Sequence, residues 1–162
     1  MGEVAVEGGA GDVEDRGDFG DGFVLGVVEL LGVSRLSAGS EPVGSQGVND
    51  EQRMRALYDA FNARDLDTLL AAMTHDVDWP NAWEGGRVHG RDAVRSYWTR
   101  QWAEINPRAE PLRVGTNADG HIVVDVEQVV RDLNGEVLGE GRVLHIYEMR
   151  DGLVARMDVE EA

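Results

Sequence analysis

Cysteine is absent from the 162 residues. That excludes disulfides, thiolate metal sites and cysteine nucleophiles. Lysine is absent as well: all 15 basic residues are arginine, a bias we read as that of a GC-rich bacterial genome rather than as a functional signal. Positive charge is scarce overall, since 31 acidic residues leave a formal net charge of -16. Such a balance argues against nucleic acid or an anionic membrane as partner. No apolar run approaches the roughly 20 residues needed to span a bilayer, so a soluble cytoplasmic protein is expected. Also missing are a glycine-rich phosphate loop, a Gly-x-Ser-x-Gly nucleophile turn and any His-x-x-x-His spacing. No metal and no cofactor are therefore expected.

What is present falls into two unequal parts. Residues 1–48 are rich in glycine and acidic side chains, and such a segment buries too little apolar surface to offset its ordering entropy. We expect a disordered extension there. The run "FVLGVVELLGV" (Phe23 to Val33) is preceded by acidic rather than basic residues and is interrupted by Glu29, which argues against a signal peptide. The stretch "VNDEQRMRALYDAF" reads like a natural start, with Val48 as an alternative initiator. Residues 49–162 form the expected domain.

Within that domain Met54, Leu57, Tyr58 and Phe61 lie at helical spacing, with Asn49 as the expected N-cap. "DLDTLLAAM" predicts a short second helix capped by Asp65, with Leu66, Leu69, Leu70 and Met73 as its stripe. "VDWPNAW" reads as a short extended piece and a loop. "GRDAVRSYWTRQWAEI" predicts a third helix carrying Val94, Tyr97, Trp98, Gln101, Trp102 and Ile105 on one side. Beyond it the period changes to two. "PLRVGT", "HIVVDVEQVVRD", "EVLGEGRVLHIYEM" and "LVARMDVE" are strand-like and separated by turn signals. Three helices followed by an antiparallel meander is an α+β layout, with helices on one face of a curved sheet.

Counting outward from the turns at Asn134-Gly135 and Asp151-Gly152 gives a register. The first places Glu127 opposite Arg142 and Val124 opposite His145. The second places Tyr147 opposite Arg156 and His145 opposite Asp158. One face then carries Ile122, Val124, Val126, Gln128, Val143, His145, Tyr147, Met149, Val154, Arg156 and Asp158, and is assigned to the interior. The other carries an apolar patch of Leu144, Ile146, Met157 and Val159, which suggests a homodimer contact through the outer sheet face. A His-carboxylate pair on an inner face can move a proton near neutral pH, with Arg156 and Tyr147 beside it for a developing oxyanion. The alternative is a buried polar network that only fixes the sheet. The loop "WPNAWEGGRVHG" adds Trp79, Asn81, Trp83 and His89 as candidates for a ligand mouth, with Trp98 on the third helix.

The stretches "LYDAFNARDLDTLLAAMTHDVDW", "VHGRDAVRSYW" and "HIYEMRDGLVARMD" resemble the SnoaL-like proteins of the nuclear-transport-factor-2-like superfamily, which include ketosteroid-isomerase relatives. The resemblance covers nearly all of residues 49–160. It implies a cystatin-like α+β barrel, a cone of three helices on a curved antiparallel sheet. It says less about chemistry, because the superfamily hosts isomerases, dehydratases, cyclases, hydrolases and non-enzymes. Carried across, the isomerase's catalytic aspartate falls at Asn81, its oxyanion tyrosine at Leu57 and its protonated aspartate at His145. Tyr58 stands one step off that tyrosine and is expected to point elsewhere. The SnoaL-type cyclases are nearer, with a histidine and an acid/base aspartate on the two last strands, matched by His145 and Asp158.

Three readings follow. The first is an enzyme of cofactor-independent acid/base chemistry (cyclisation, isomerisation or dehydration) on a hydrophobic carbonyl or hydroxyl compound. It uses His145, Asp158 and Arg156, with Tyr147, Trp79, Asn81, Trp83, His89, Trp98, Gln128 and Tyr58 around the substrate. The second is a non-catalytic ligand-binding or dimerising module. The third is a hydrolase, favoured if Asn81, Arg156 and Asp158 converge on one water.

Overall fold

The computed structural model describes residues 45–162. The expected disorder and the alternative start concern residues 1–44 for the most part, which lie outside the described residues. Helix α1 spans Ser45–Asn62. It thus begins four residues inside the expected extension, and Asn49 is an interior helix residue rather than a cap. Met54, Leu57 and Tyr58 form its buried stripe. Helix α2 (Leu66–Ala71) is capped as expected, the Asp65 carboxylate accepting from the Thr68 amide. Helix α3 spans Arg91–Glu104 and buries Val94, Tyr97, Trp98 and Gln101.

Six strands follow or intervene: β1 (Met73–Pro80), β2 (Arg87–His89), β3 (Ile105–Thr116), β4 (Ile122–Asp132), β5 (Val137–Arg150) and β6 (Leu153–Glu161). They form one sheet in the order β2-β1-β6-β5-β4-β3. The last four make the expected antiparallel meander, while β1 joins β6 in parallel. The sheet is therefore mixed, and it is curved without closing into a barrel. Met73, expected on the second helix, opens β1, and Ile105, expected on the third, opens β3. A core of α-helical and inner-sheet residues, among them Met54, Val77, Val94, Val124, Val126 and Val143, fills the space between the layers.

The site depends on two hairpin registers. Between β4 and β5, Glu127 faces Arg142, Val126 faces Val143 and Val124 faces His145, as counted. The turn itself is one residue wider than assumed, but Leu138 is left unpaired on β5 and restores the count. Between β5 and β6 the Asp151-Gly152 turn is the expected tight one, with both residues at positive φ. There an unpaired Ala155 shifts everything beyond it. Tyr147 faces Met157, His145 faces Val159 and Ile146 faces Asp158. The predicted pairs Tyr147–Arg156 and His145–Asp158 do not form.

The physical reason is visible in the side chains. A straight strand would bury Arg156 and Asp158, at a desolvation cost that only full pairing offsets. The β-bulge flips the phase. Val154 and Met157 are both buried, and Val159 packs against the core. The same flip removes Met157 and Val159 from the outer face, leaving Leu144 and Ile146 of the expected four-residue patch.

Candidate functional site

The helices and the inner sheet face enclose a cavity of about 350 Å³. Its wall is mostly apolar and aromatic, with Phe61, Trp79, Trp98, Val143 and Met157 among the lining residues. Trp79 packs edge-on against Trp98 with ring centroids 5.2 Å apart, and lies 6.4 Å from the Tyr147 ring.

A buried polar chain crosses this wall. The Gln128 amide nitrogen lies 3.0 Å from His145 Nε2. His145 Nδ1 lies 2.7 Å from the Tyr58 hydroxyl, which lies 2.8 Å from the Tyr147 hydroxyl. With Gln128 as donor, His145 Nε2 is the acceptor and Nδ1 carries the proton. Nδ1–H then donates to Tyr58, and Tyr58 O–H donates to Tyr147. Tyr147 keeps its own hydroxyl proton, and all four residues line the cavity. Burial pushes the His145 imidazole down to about 4, so it is neutral at pH 7. Burial likewise pushes the Tyr58 and Tyr147 phenols well above their ordinary value. The chain is uncharged throughout, which is the state a desolvated wall favours.

Tyr58 therefore does not point elsewhere. One step from the carried-over position, it is the link between His145 and Tyr147, while Leu57 also lines the cavity.

Asp158 and Arg156 belong to a different group. Arg156 Nε donates to Asp158 Oδ2 at 2.7 Å, and Arg156 Nη1 donates to Asp78 Oδ2 at 2.7 Å. Arg87 Nε donates to Asp78 Oδ1 at 2.6 Å and Arg87 Nη1 to Asp158 Oδ1 at 2.9 Å. Two arginines and two aspartates thus tie β1, β2 and β6 together. The Arg156 hydrogen bond, with help from Arg87, lowers the Asp158 carboxyl further. Asp158 and Arg87 still border the cavity, and Arg156 does not.

The aromatic loop divides as well. Asn81 borders the cavity, but its side chain is committed to the loop: Nδ2 donates to Glu84 and Oδ1 accepts from the Glu84 amide. Asn81 and Asp158 thus border the same cavity, with Arg156 behind Asp158 and bonded to it. Trp83 packs against the core and His89 is exposed beside Asp78; neither borders the cavity. Tyr97 and Gln101 are among the polar lining residues, with Arg87 and Arg108, that the sequence does not single out as site residues. Tyr97 and Gln101 are buried on α3 and bonded to each other. The available signal was a glutamine on an otherwise apolar helical stripe. Among the described residues no cluster of three or more histidine or acidic side chains is arranged to hold a metal ion, and no helix is long and apolar enough to cross a membrane.

Comparison with known proteins places this geometry in a family. The model of the SnoaL-like domain matches residues 54–157. No curated protein matches the chain. Among solved structures, an NTF2-like protein of unknown function from Burkholderia pseudomallei is similar, with a TM-score of 0.60 and 26% identity over 70% of this chain and 91% of that one. A putative polyketide cyclase from Xanthomonas campestris gives 0.58 and 25% over 73% and 93%. An LEH-like epoxide hydrolase from M. tuberculosis gives 0.59 and 17% over 71% and 84%, a likeness of fold.

Proposed function

The chain belongs to the SnoaL-like domain family, and from that premise we propose that its cavity binds a hydrophobic small molecule carrying a carbonyl or hydroxyl oxygen and activates that oxygen by hydrogen bonding. The observation that carries this reading is the chain Gln128–His145–Tyr58–Tyr147 in the wall of an apolar cavity. Its end at Tyr147 presents a hydroxyl proton held in place by three successive bonds. A preorganised donor in a dry site stabilises charge developing on a carbonyl or phenolic oxygen. Isomerisation, cyclisation and dehydration all pass through such charge, and the family likeness to a putative polyketide cyclase supports that class.

The roles differ from those suggested by the sequence. His145 orients the tyrosines and keeps the chain neutral. Tyr147 is the group that meets the ligand oxygen. Asp158, held between two arginines, shapes the cavity border instead of receiving a proton from His145.

The test is incubation with a panel of hydrophobic carbonyl and phenolic compounds, followed by mass spectrometry. An isomer of unchanged mass, or a product lacking one water, is expected. Tyr147→Phe should lower that turnover about 10²–10³-fold with the fold retained. Undiminished turnover in this variant would sink the assignment.

A second reading has its own support. His145 is depressed to about 4 and the Asp158 carboxyl is lowered by its arginines, so both are weak bases at pH 7. In a non-catalytic binding module the compound binds, Tyr147→Phe weakens affinity, and the ligand is recovered unchanged.

A further inference from the structure

Tyr97 and Gln101 form a second polar point in the cavity, on the helical wall rather than the sheet. They lie one turn apart on α3 and are 3% and 4% exposed. Gln101 Nε2 donates to the Tyr97 hydroxyl at 3.0 Å. That bond uses one amide hydrogen of Gln101, and the Tyr97 oxygen also accepts from the backbone at Trp83 and Ala82. Among the described residues nothing donates to Gln101 Oε1, and nothing accepts the Tyr97 hydroxyl proton. Both side chains line the cavity. The pair thus offers one acceptor and one donor to whatever fills the space.

Buried polar groups in proteins are almost always satisfied. An apolar stripe that needed only packing would use leucine at position 101. The first polar point, at Tyr147, is built on β5 and α1. The two points are not bonded to each other, and the edge-on indoles of Trp79 and Trp98 share the cavity wall with them, Trp79 lying against the Tyr147 ring.

We infer that the cavity selects a rigid hydrophobic molecule with an oxygen function at each end, one received by Tyr147 and the other by the Gln101–Tyr97 pair. This rests on the binding reading given above and names its substrate class. Gln101 and Tyr97 are then residues that determine specificity, because a site built to bond an oxygen rejects the analogue lacking it.

The experiment measures binding by tryptophan fluorescence quenching on naphthalene and biphenyl frames. The probes are the mono-ol, the diol with hydroxyls at opposite ends, and the diol with hydroxyls on adjacent carbons. On at least one frame the end-to-end diol should bind wild-type protein about tenfold or more tighter than the mono-ol, the worth of one good hydrogen bond. The adjacent diol should bind like the mono-ol. Gln101→Leu should erase the advantage of the end-to-end diol while leaving mono-ol affinity within about twofold. Should that variant fail to fold, Tyr97→Phe, which deletes a single oxygen, carries the same expectation. Equal affinities for mono-ol and end-to-end diol on both frames, or an advantage that survives in the variant, would overturn the inference and leave the binding reading standing. Failure of every probe to bind would overturn both.

Discussion

His145 sits at the centre of the buried polar chain, and its burial has a measurable consequence. The imidazole is held at about 4 in the folded state against an ordinary 6.5. Between those values the unfolded chain binds a proton that the folded chain refuses, so stability rises with pH across this window. The contribution is fully present above about pH 6.5 and is lost as pH falls toward 4. It amounts to roughly 3 kcal/mol at full loss. Urea melts of wild type and His145→Gln should therefore converge as pH falls, because glutamine removes the titrating group. Parallel curves would show that His145 is not buried as described. Residue identities at the site were legible in the sequence: Tyr58, Gln128, His145 and Tyr147 all stand out as polar groups on apolar faces. Their partners were not. Hairpin counting pairs His145 with Asp158, whereas the structure gives it Tyr58 from a helix 87 residues away in sequence. Counting along a hairpin sees only the strand opposite; it has no view of a helix laid across the sheet. Tyr97 and Gln101 read as helix packing in the sequence, because a single glutamine on a stripe says nothing of the space in front of it.

At the scale of elements, the bulge at Ala155 decides which face each β6 side chain takes. It did leave a trace. The apolar positions Val154, Met157 and Val159 cannot share one face of a regular strand, and one extra residue after Val154 brings them together. The Asp151-Gly152 turn is the tight one its sequence predicts, yet a turn fixes the register only as far as the next bulge. On the other hairpin a wider turn and the unpaired Leu138 offset each other, so the counted register held. Strand β3 raises a different matter, for it is a 12-residue edge. Its free backbone is covered from α1 and the residues after it. Asn62 donates to the Ala109 carbonyl at 2.8 Å and accepts from its amide at 3.0 Å, as a neighbouring strand would. Arg55 and Arg64 donate to the Pro111 and Pro107 carbonyls. Such covering protects an edge from pairing with another chain. Asn62→Ala should cost about 1–3 kcal/mol, since Ala109 is buried and its amide would be left without a partner. The expected signature is a lower urea midpoint at unchanged slope. An unchanged midpoint would mean that solvent replaces the asparagine.

For the whole molecule, the architecture is a helical layer over an open mixed sheet, with the polar chain set into the wall between them. The coarse layout follows from the change of period after the third helix, which is why it could be read from the sequence. The parallel docking of β1 against β6 could not, because it joins segments far apart in the chain with no turn between them to count from. That docking is held by the Asp78–Arg87–Asp158–Arg156 group. Asp158→Asn should then lower stability while leaving affinity for a phenolic ligand close to wild type, whereas Tyr147→Phe should do the reverse. Measured side by side by thermal melts and fluorescence titration, the two variants separate cavity border from ligand contact; an affinity loss in Asp158→Asn equal to that of Tyr147→Phe would return the carboxylate to the site. A neutral His145–Tyr58–Tyr147 chain is proposed to meet the ligand oxygen. Nitrogen-15 NMR of histidine-labelled protein tests it most directly, recorded over pH with and without a bound naphthol. The expected result is a neutral His145 with its proton on Nδ1 down to about pH 4, and a shift of its ring nitrogens when naphthol binds. A titration near the ordinary 6.5, or ring nitrogens unmoved by a compound that demonstrably binds, would contradict it.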